Sequence, residues 1–207
     1  MWVRTAQEDW VAPPNRAVWV PAGVEHGIEM AGTVLMQTIY LVPRAFARLP
    51  TQCTAVNVSP LLRELVLHSI SKGVLRRTIP EHGRLIAFLV DQLRALPTIP
   101  LQLPSPTDER AKLAADFMRS RPSNESIERI AEHASTSVRT LERLFQKETG
   151  LSFGKWRQQL RLLQSLQLLA GGRPVAAVAA AIGYASPSAF IAMFRKTLGI
   201  TPSRYFK

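Results

Sequence analysis

Arg139, Glu142 and Arg143 are three and four residues apart, a spacing that places them on one face of a helix. An Arg guanidinium can form a bidentate pair with a guanine edge, and a Glu carboxylate can accept from cytosine. Thr140, Gln146 and Lys147 continue the same long-armed, hydrogen-bonding face. A second cluster, Ser188, Ile191 and Ala192 followed by Arg195 and Lys196, is small and partly apolar. It suits close approach and contact with a thymine methyl better than a guanine fork. Neither cluster has the make-up of a catalytic or metal site.

The elements that must position these clusters are related by duplication. Ser137, Leu141, Phe145, Lys147, Gly150, Leu151, Ser152 and Trp156 return forty-nine residues later as Ser186, Phe190, Phe194, Lys196, Gly199, Ile200, Thr201 and Tyr205. With one residue inserted, Ile127, Ile130, Ala131 and Ala134 match Val175, Val178, Ala179 and Ile182. Such a repeat is one supersecondary unit used twice. Each copy reads as a short helix, a tight turn and a second helix, over 127–149 and 175–198. Ser137 and Ser186 are the expected N-caps, Pro187 takes a first helical position, and Gly150 and Gly199 end the second helices. Leu141, Leu144 and Phe145 should turn inward. Capping accounts for Ser137 and Ser186 more simply than ligand contact does, although the positive end of a helix also suits a phosphate.

A polar outer face alone is ordinary, because most surface helices carry solvated charges. The charge distribution is not. From Asp108 onward there are sixteen Lys and Arg against eight Asp and Glu, a net of +8 out of +11 for the chain. After Glu148 there is no acidic residue, while Lys155, Arg157, Arg161, Arg173, Arg195, Lys196, Arg204 and Lys207 follow. Such asymmetry points to a polyanion-binding half. The leucine-rich stretch 153–170 reads as a long helix buried between the repeats, since no apolar run reaches the roughly 18 residues of a membrane span. No membrane partner is expected, and a double-stranded nucleic acid is.

The strings S-V-R-T-L-E-R-L-F-Q-K-E-T-G-L-S-F, from Ser137 to Phe153, and A-A-I-G-Y-A-S-P-S-A-F-I-A-M-F-R-K-T-L-G-I-T-P-S-R-Y-F, from Ala180 to Phe206, resemble the DNA-binding domain of the AraC/XylS family of transcription regulators. The resemblance covers about half the chain, from near Asp108 to the end. It implies two helix-turn-helix units, joined by one long helix, that enter successive major grooves on one face of double-stranded DNA. Carried over by position, it places base reading at Arg139, Glu142 and Arg143 and at Ser188, Ile191 and Ala192. Ser137, Thr140, Ser186, Arg195 and Lys196 complete the DNA-binding set. The resemblance also implies RNA polymerase as a further partner, homodimer formation, and activation rather than repression. It leaves open whether a small-molecule effector binds.

The first half differs in kind. Residues 2–42 are rich in Val, Trp, Thr and Ile with Pro and Gly punctuation, as in 17–23 and 33–42, which predicts short antiparallel strands. The segment P-A-G-V-E-H, from Pro21 to His26, resembles the second motif of the cupin fold, the sensor domain often attached to this family. Asn15 and Met30 replace that motif's outer glycine and asparagine, and its first, histidine-paired motif is absent. The resemblance therefore implies a partial, amino-terminally truncated cupin-like β region over 1–58. His26 without ligand-spaced partners reads as structural, and no metal or cofactor is expected. Ser59 and Pro60 should start a helix to about Ser71, and another should run from Pro80 to about Leu96. The family resemblance implies that these are linker or dimerisation helices over 59–96, and packing against the chain's own strands is the alternative. Four prolines in 97–106 predict a semi-rigid linker. The DNA-binding domain then occupies 107–207, its first helix capped by Thr107 or Asp108.

The fold class expected is mainly α with a small β part. One cysteine, Cys53, excludes an intrachain disulfide and fits a reducing cytoplasm. His26, His68, His82 and His133 are scattered, and no phosphate loop or serine elbow occurs. An enzyme or a metal- or small-molecule-binding protein would have to work through the cupin-like segment. Two repeats are too few for a helical scaffold.

Overall fold

The computed structural model describes residues 1–14, 16–30, 34–42, 49–95, 98–99, 101–120 and 125–206, with 98 and 99 described in backbone only. It is α+β, with seven short strands and nine helices among the described residues. The strands are β1 (Trp2–Arg4), β2 (Glu8–Val11), β3 (Arg16–Trp19), β4 (Gly27–Glu29), β5 (Thr54–Asn57), β6 (Thr98–Ile99) and β7 (Gln102–Pro104). They form two antiparallel sheets, in the orders β4-β1-β2-β7 and β3-β5-β6. Thr5 closes the β1–β2 hairpin: its hydroxyl accepts from the Glu8 amide at 3.0 Å, and its own amide donates to the Glu8 carbonyl. Trp2 is thereby set opposite Val11, and Val3 opposite Trp10.

Two expectations fail in this half. Thr33 lies outside the described residues, and Val34–Val42 form no strand. A β-rich composition supplies propensity, but a strand needs a neighbouring ladder. Leu35 and Tyr40 instead stand 86% and 91% exposed. The 97–106 segment, expected as a linker, carries two short strands among its described residues. Pro97 and Pro100 lie outside the described residues, but β6 pairs with β5, and β7 pairs with β2 in the register Asp9 to Leu103. Leu101 and Leu103 are wholly buried. Their alternation outweighs the prolines, and Pro104 is tolerated because β7 is an edge strand.

Helices α1 (Pro60–Ser71) and α2 (Pro80–Arg94) follow, the first capped by Ser59, whose hydroxyl accepts from the Leu62 amide at 3.1 Å. They pack on each other through Leu62, Ile86, Leu89 and Val90, apart from the main core. The remaining helices are α3 (Glu109–Ser120), α4 (Ile127–His133), α5 (Val138–Thr149), α6 (Phe153–Ala170), α7 (Val175–Ala181), α8 (Pro187–Leu198) and α9 (Pro202–Tyr205). α6 has 18 residues, a rod of about 27 Å. It buries Phe153, Trp156, Leu160, Leu162, Leu163, Ser165 and Leu166, more than one stripe, because it is covered from several directions. α5 and α7 pack on it, and so do β2 and β7. One continuous core runs from Trp2 to Phe194.

Polar contacts fasten the sheet to this helical half. The Trp156 indole donates to the Pro104 carbonyl at 2.7 Å, and the Trp2 indole donates to Gln167 at 2.7 Å. Arg119 lies 2.8 Å from Asp9 and 2.8 Å from Asp116, with its guanidinium 5.6 Å from the Trp156 ring centre. The Asp9 and Arg119 side chains are only 6% and 15% exposed. Burial pushes the Asp9 carboxyl above the usual range, and Arg119 opposes the shift.

Arg119→Met should therefore cost about 3 kcal/mol at neutral pH, because it leaves a buried carboxylate without its cation. A buried acid with a raised pKa destabilises the native state once ionised, so stability falls as the pH climbs through its titration. The loss should shrink on acidification, and Asp9→Asn in the same chain should recover part of it. Urea melts across pH check both outcomes, and a loss independent of pH would count against this origin. A separate prediction concerns the turns. Ser135 (φ 49°) and Gly183 (φ 83°) occupy the left-handed region at the same place in the two repeats. Gly183→Ala should cost about 1 kcal/mol, whereas Ser135→Gly should be neutral or stabilising by about 0.5 kcal/mol. Thermal melts of the two variants check this.

Candidate nucleic-acid interface

The two repeats fold alike in detail. In the first, α4 ends at His133, and the Thr136 amide returns to the Ala131 carbonyl at 2.9 Å. In the second, α7 ends at Ala181, and the Tyr184 amide returns to the Ala179 carbonyl at 2.9 Å. Ser137 caps α5 by accepting from the Thr140 amide at 3.2 Å, and Ser186 caps α8 by accepting from the Ala189 amide at 3.2 Å. Gly150 and Gly199 end the two helices at φ 71° and 79°. The duplication also preserves an aromatic pair, with Phe145 edge-on to Trp156 at 5.0 Å and Phe194 edge-on to Tyr205 at 5.5 Å. Such edge-to-face contacts contribute beyond the area they bury.

Burial separates the faces as the spacing predicts. Leu141, Leu144 and Phe145 are buried in α5, and Phe190, Met193 and Phe194 in α8. Arg139, Glu142 and Arg143 are exposed together on α5 with Gln146 and Lys147. Ser188, Ala192, Arg195 and Lys196 are exposed on α8, with Ile191 half-buried beside them. Two expected site residues are occupied locally, since the Ser137 hydroxyl, besides capping, donates to the Thr140 hydroxyl at 2.9 Å. Ser137, Thr140 and Ser186 thus set the start of each helix.

The cations divide by role. Arg110, Lys112, Arg119 and Arg129 each form an ion pair with a nearby carboxylate. Among the described residues, Arg139, Arg143, Lys147, Lys155, Arg173, Arg195, Lys196 and Arg204 form none, and all of them are exposed. The basic tail does not all face outward, however. Arg157 donates to the Glu125 carbonyl, and Arg161 lies over the Tyr184 ring at 5.7 Å. Both are partly buried, and burial lowers the pKa of each guanidinium. Lys207 lies outside the described residues.

Glu148, the last acid of the chain, has a part that sequence reading did not anticipate. Its carboxylate accepts from the Thr107 and Asp108 amides at 2.7 and 2.9 Å, tying the start of α3 to the end of α5. Desolvation pushes its carboxyl up, but these backbone donors outweigh that and leave it below the usual range. Only the positions of the helices in space bring these groups together. His26 is exposed, with Nδ1 3.0 Å from the Val24 carbonyl, and among the described residues no group of three or more His, Cys, Asp or Glu could hold a metal. No described helix is long and apolar enough to cross a membrane.

Residues 130–207 match the helix-turn-helix domain family. Over 197 residues the chain is 40% identical to the HTH-type transcriptional regulator NimR of Escherichia coli, covering 95% of this chain and 72% of that one. It is 30% identical to the arabinose operon regulatory protein of Salmonella typhimurium, covering 96% and 76%. Among solved structures, an AraC-type regulator from Chromobacterium violaceum aligns at 28% identity over 47% of this chain and 88% of its own, with a TM-score of 0.44.

Because Ser137 and Ser186 are caps, Ser137→Ala and Ser186→Ala should each cost about 1 kcal/mol. For a chain of this size that corresponds to a fall of about 2–4 °C in Tm. Calorimetry checks it, and unchanged melting would show the caps to be dispensable.

Proposed function

The chain belongs to the AraC family of helix-turn-helix transcription regulators, and from that premise we propose that α5 and α8 enter successive major-groove segments on one face of a DNA duplex. Arg139, Glu142 and Arg143 read base edges from α5, and Ser188, Ile191 and Ala192 do so from α8. Arg195 and Lys196 hold phosphates, and Ser137, Thr140 and Ser186 set the helix starts against the backbone. The observation that supports this reading most is the division of the cations. Those on α3 and α4 are paired with carboxylates, whereas those on the outer faces of α5 and α8 are not. An exposed, unpaired cation is already free to replace counterions on a phosphate backbone.

Successive major grooves recur roughly every 34 Å, so a single chain reads an asymmetric site of close to two helical turns. Binding in the cytoplasm, activation through contact with RNA polymerase and association into a homodimer complete the proposal. Its division of labour places DNA recognition in 107–207, linker or dimerisation helices in 59–96 and a cupin-like β region in 1–58. The reading is of a binding protein rather than an enzyme.

Arg139→Ala or Arg143→Ala should cost about 1–3 kcal/mol on the preferred duplex and relax selectivity at one position. Lys196→Ala should weaken all sequences alike and lower the salt slope by about one. Titrations on selected and scrambled duplexes at several salt concentrations separate the two behaviours. Equal losses on every sequence for Arg143→Ala would refute base reading by that residue.

A further inference from the structure

The two recognition helices share one frame but present opposite chemistries. By position in the repeat, Arg139 corresponds to Ser188, Thr140 to Ala189, Glu142 to Ile191 and Arg143 to Ala192. At each of these places the longer or more polar group of α5 gives way to a small or apolar one. From Pro187 to Phe194 the second helix carries no charge, and its first cation is Arg195, two turns in. Neither Ile191 nor Ala192 can donate or accept a side-chain hydrogen bond. Ile191 is half-buried, and Ser188, Ala189 and Ala192 are exposed beside it. The buried set Phe190, Met193 and Phe194 fixes which side of α8 faces out, so Ile191 cannot rotate inward without expelling an aromatic ring.

In the major groove only thymine presents a methyl group, and an apolar side chain recognises that methyl. Resting on the reading of α8 as a groove helix, we propose that the second repeat selects thymine, with Ile191 and Ala192 packing on thymine C5-methyls. The small residues at 188, 189 and 192 let the helix approach closely enough for that contact. Arg195 and Lys196, one turn further on, hold the flanking phosphates and keep the helix in register. The first repeat then selects for guanine and cytosine through hydrogen bonds, and the second selects for thymine through shape and methyl burial. The target is therefore DNA whose two groove segments differ in composition, richer in A·T under α8.

The probe is a set of duplexes recovered by selection from a randomised library with the full chain. Each thymine of the recovered site is replaced in turn by uracil, which removes one methyl and leaves the pairing intact. In the segment bound by α8, one or two replacements should weaken binding about fourfold each, the equivalent of ~0.8 kcal/mol for a buried methyl. Replacements under α5 should have no effect. Ile191→Ala should shrink the uracil effect at the thymine that Ile191 contacts, rather than add to it, and leave the effect at the thymine under Ala192 in place. The triple change Ser188→Arg, Ile191→Glu and Ala192→Arg should shift the selected bases in that segment toward G·C.

Should tight, sequence-selective binding prove indifferent to uracil throughout the α8 segment, the methyl contact is overturned while the groove-reading function stands. Recovery of G·C pairs under α8 by the wild-type chain would overturn it likewise. A chain that selects no sequence at all would sink the parent reading and this one with it. The uracil series uses only the wild-type protein, so a variant that fails to fold does not blunt the test.

Discussion

The burial of α6 is the constraint on which the rest of the structure depends. Two short helix-turn-helix units, whose buried faces belong to one shared core, must be held rigid while their outer faces stay free. A helix buried on several sides meets that demand. Trp156, Leu160, Leu163 and Leu166 are fully buried, and the Trp156 indole, deep in this core, finds its acceptor on Pro104. That single donor links the helix between the repeats to an edge strand fifty-two residues earlier in the chain. The β-sheet is thus a wall of the same core, and the Asp9–Arg119 pair closes it with charge.

Rigidity behind the repeats has an electrostatic counterpart in front of them. Two carboxylates hold structure together, Asp9 on Arg119 and Glu148 on the start of α3. Beyond Glu148 none remains, so nothing on the later helices neutralises the cations there. Arg157 and Arg161 are the exceptions that turn inward, the first donating to a backbone carbonyl and the second lying over an aromatic face. Charge thus divides between holding the fold together and facing a polyanion.

The interface was more legible in the sequence than the framework was. Caps, turns and the inward stripes of α5 and α8 depend on residues within about four positions of one another, so spacing reveals them. The first half was harder because strands depend on partners that sequence does not identify. Residues 34–42 have the composition of a strand and form none, whereas 102–104, beside prolines that announce a linker, pair with β2. The alternation of Leu101 and Leu103 was a signal of sheet, but the proline count concealed it.

By itself the sequence determined the duplicated helix-turn-helix grammar, the residues on each outer face and the segregation of charge. All of these follow from local periodicity and side-chain chemistry. Only the tertiary structure decided that the β-sheet and the helical repeats share one core, that Arg119 serves a buried acid, and that Glu148 clamps a helix forty residues earlier. Those contacts join positions far apart in the chain. They form because buried polar groups must find partners wherever packing brings them.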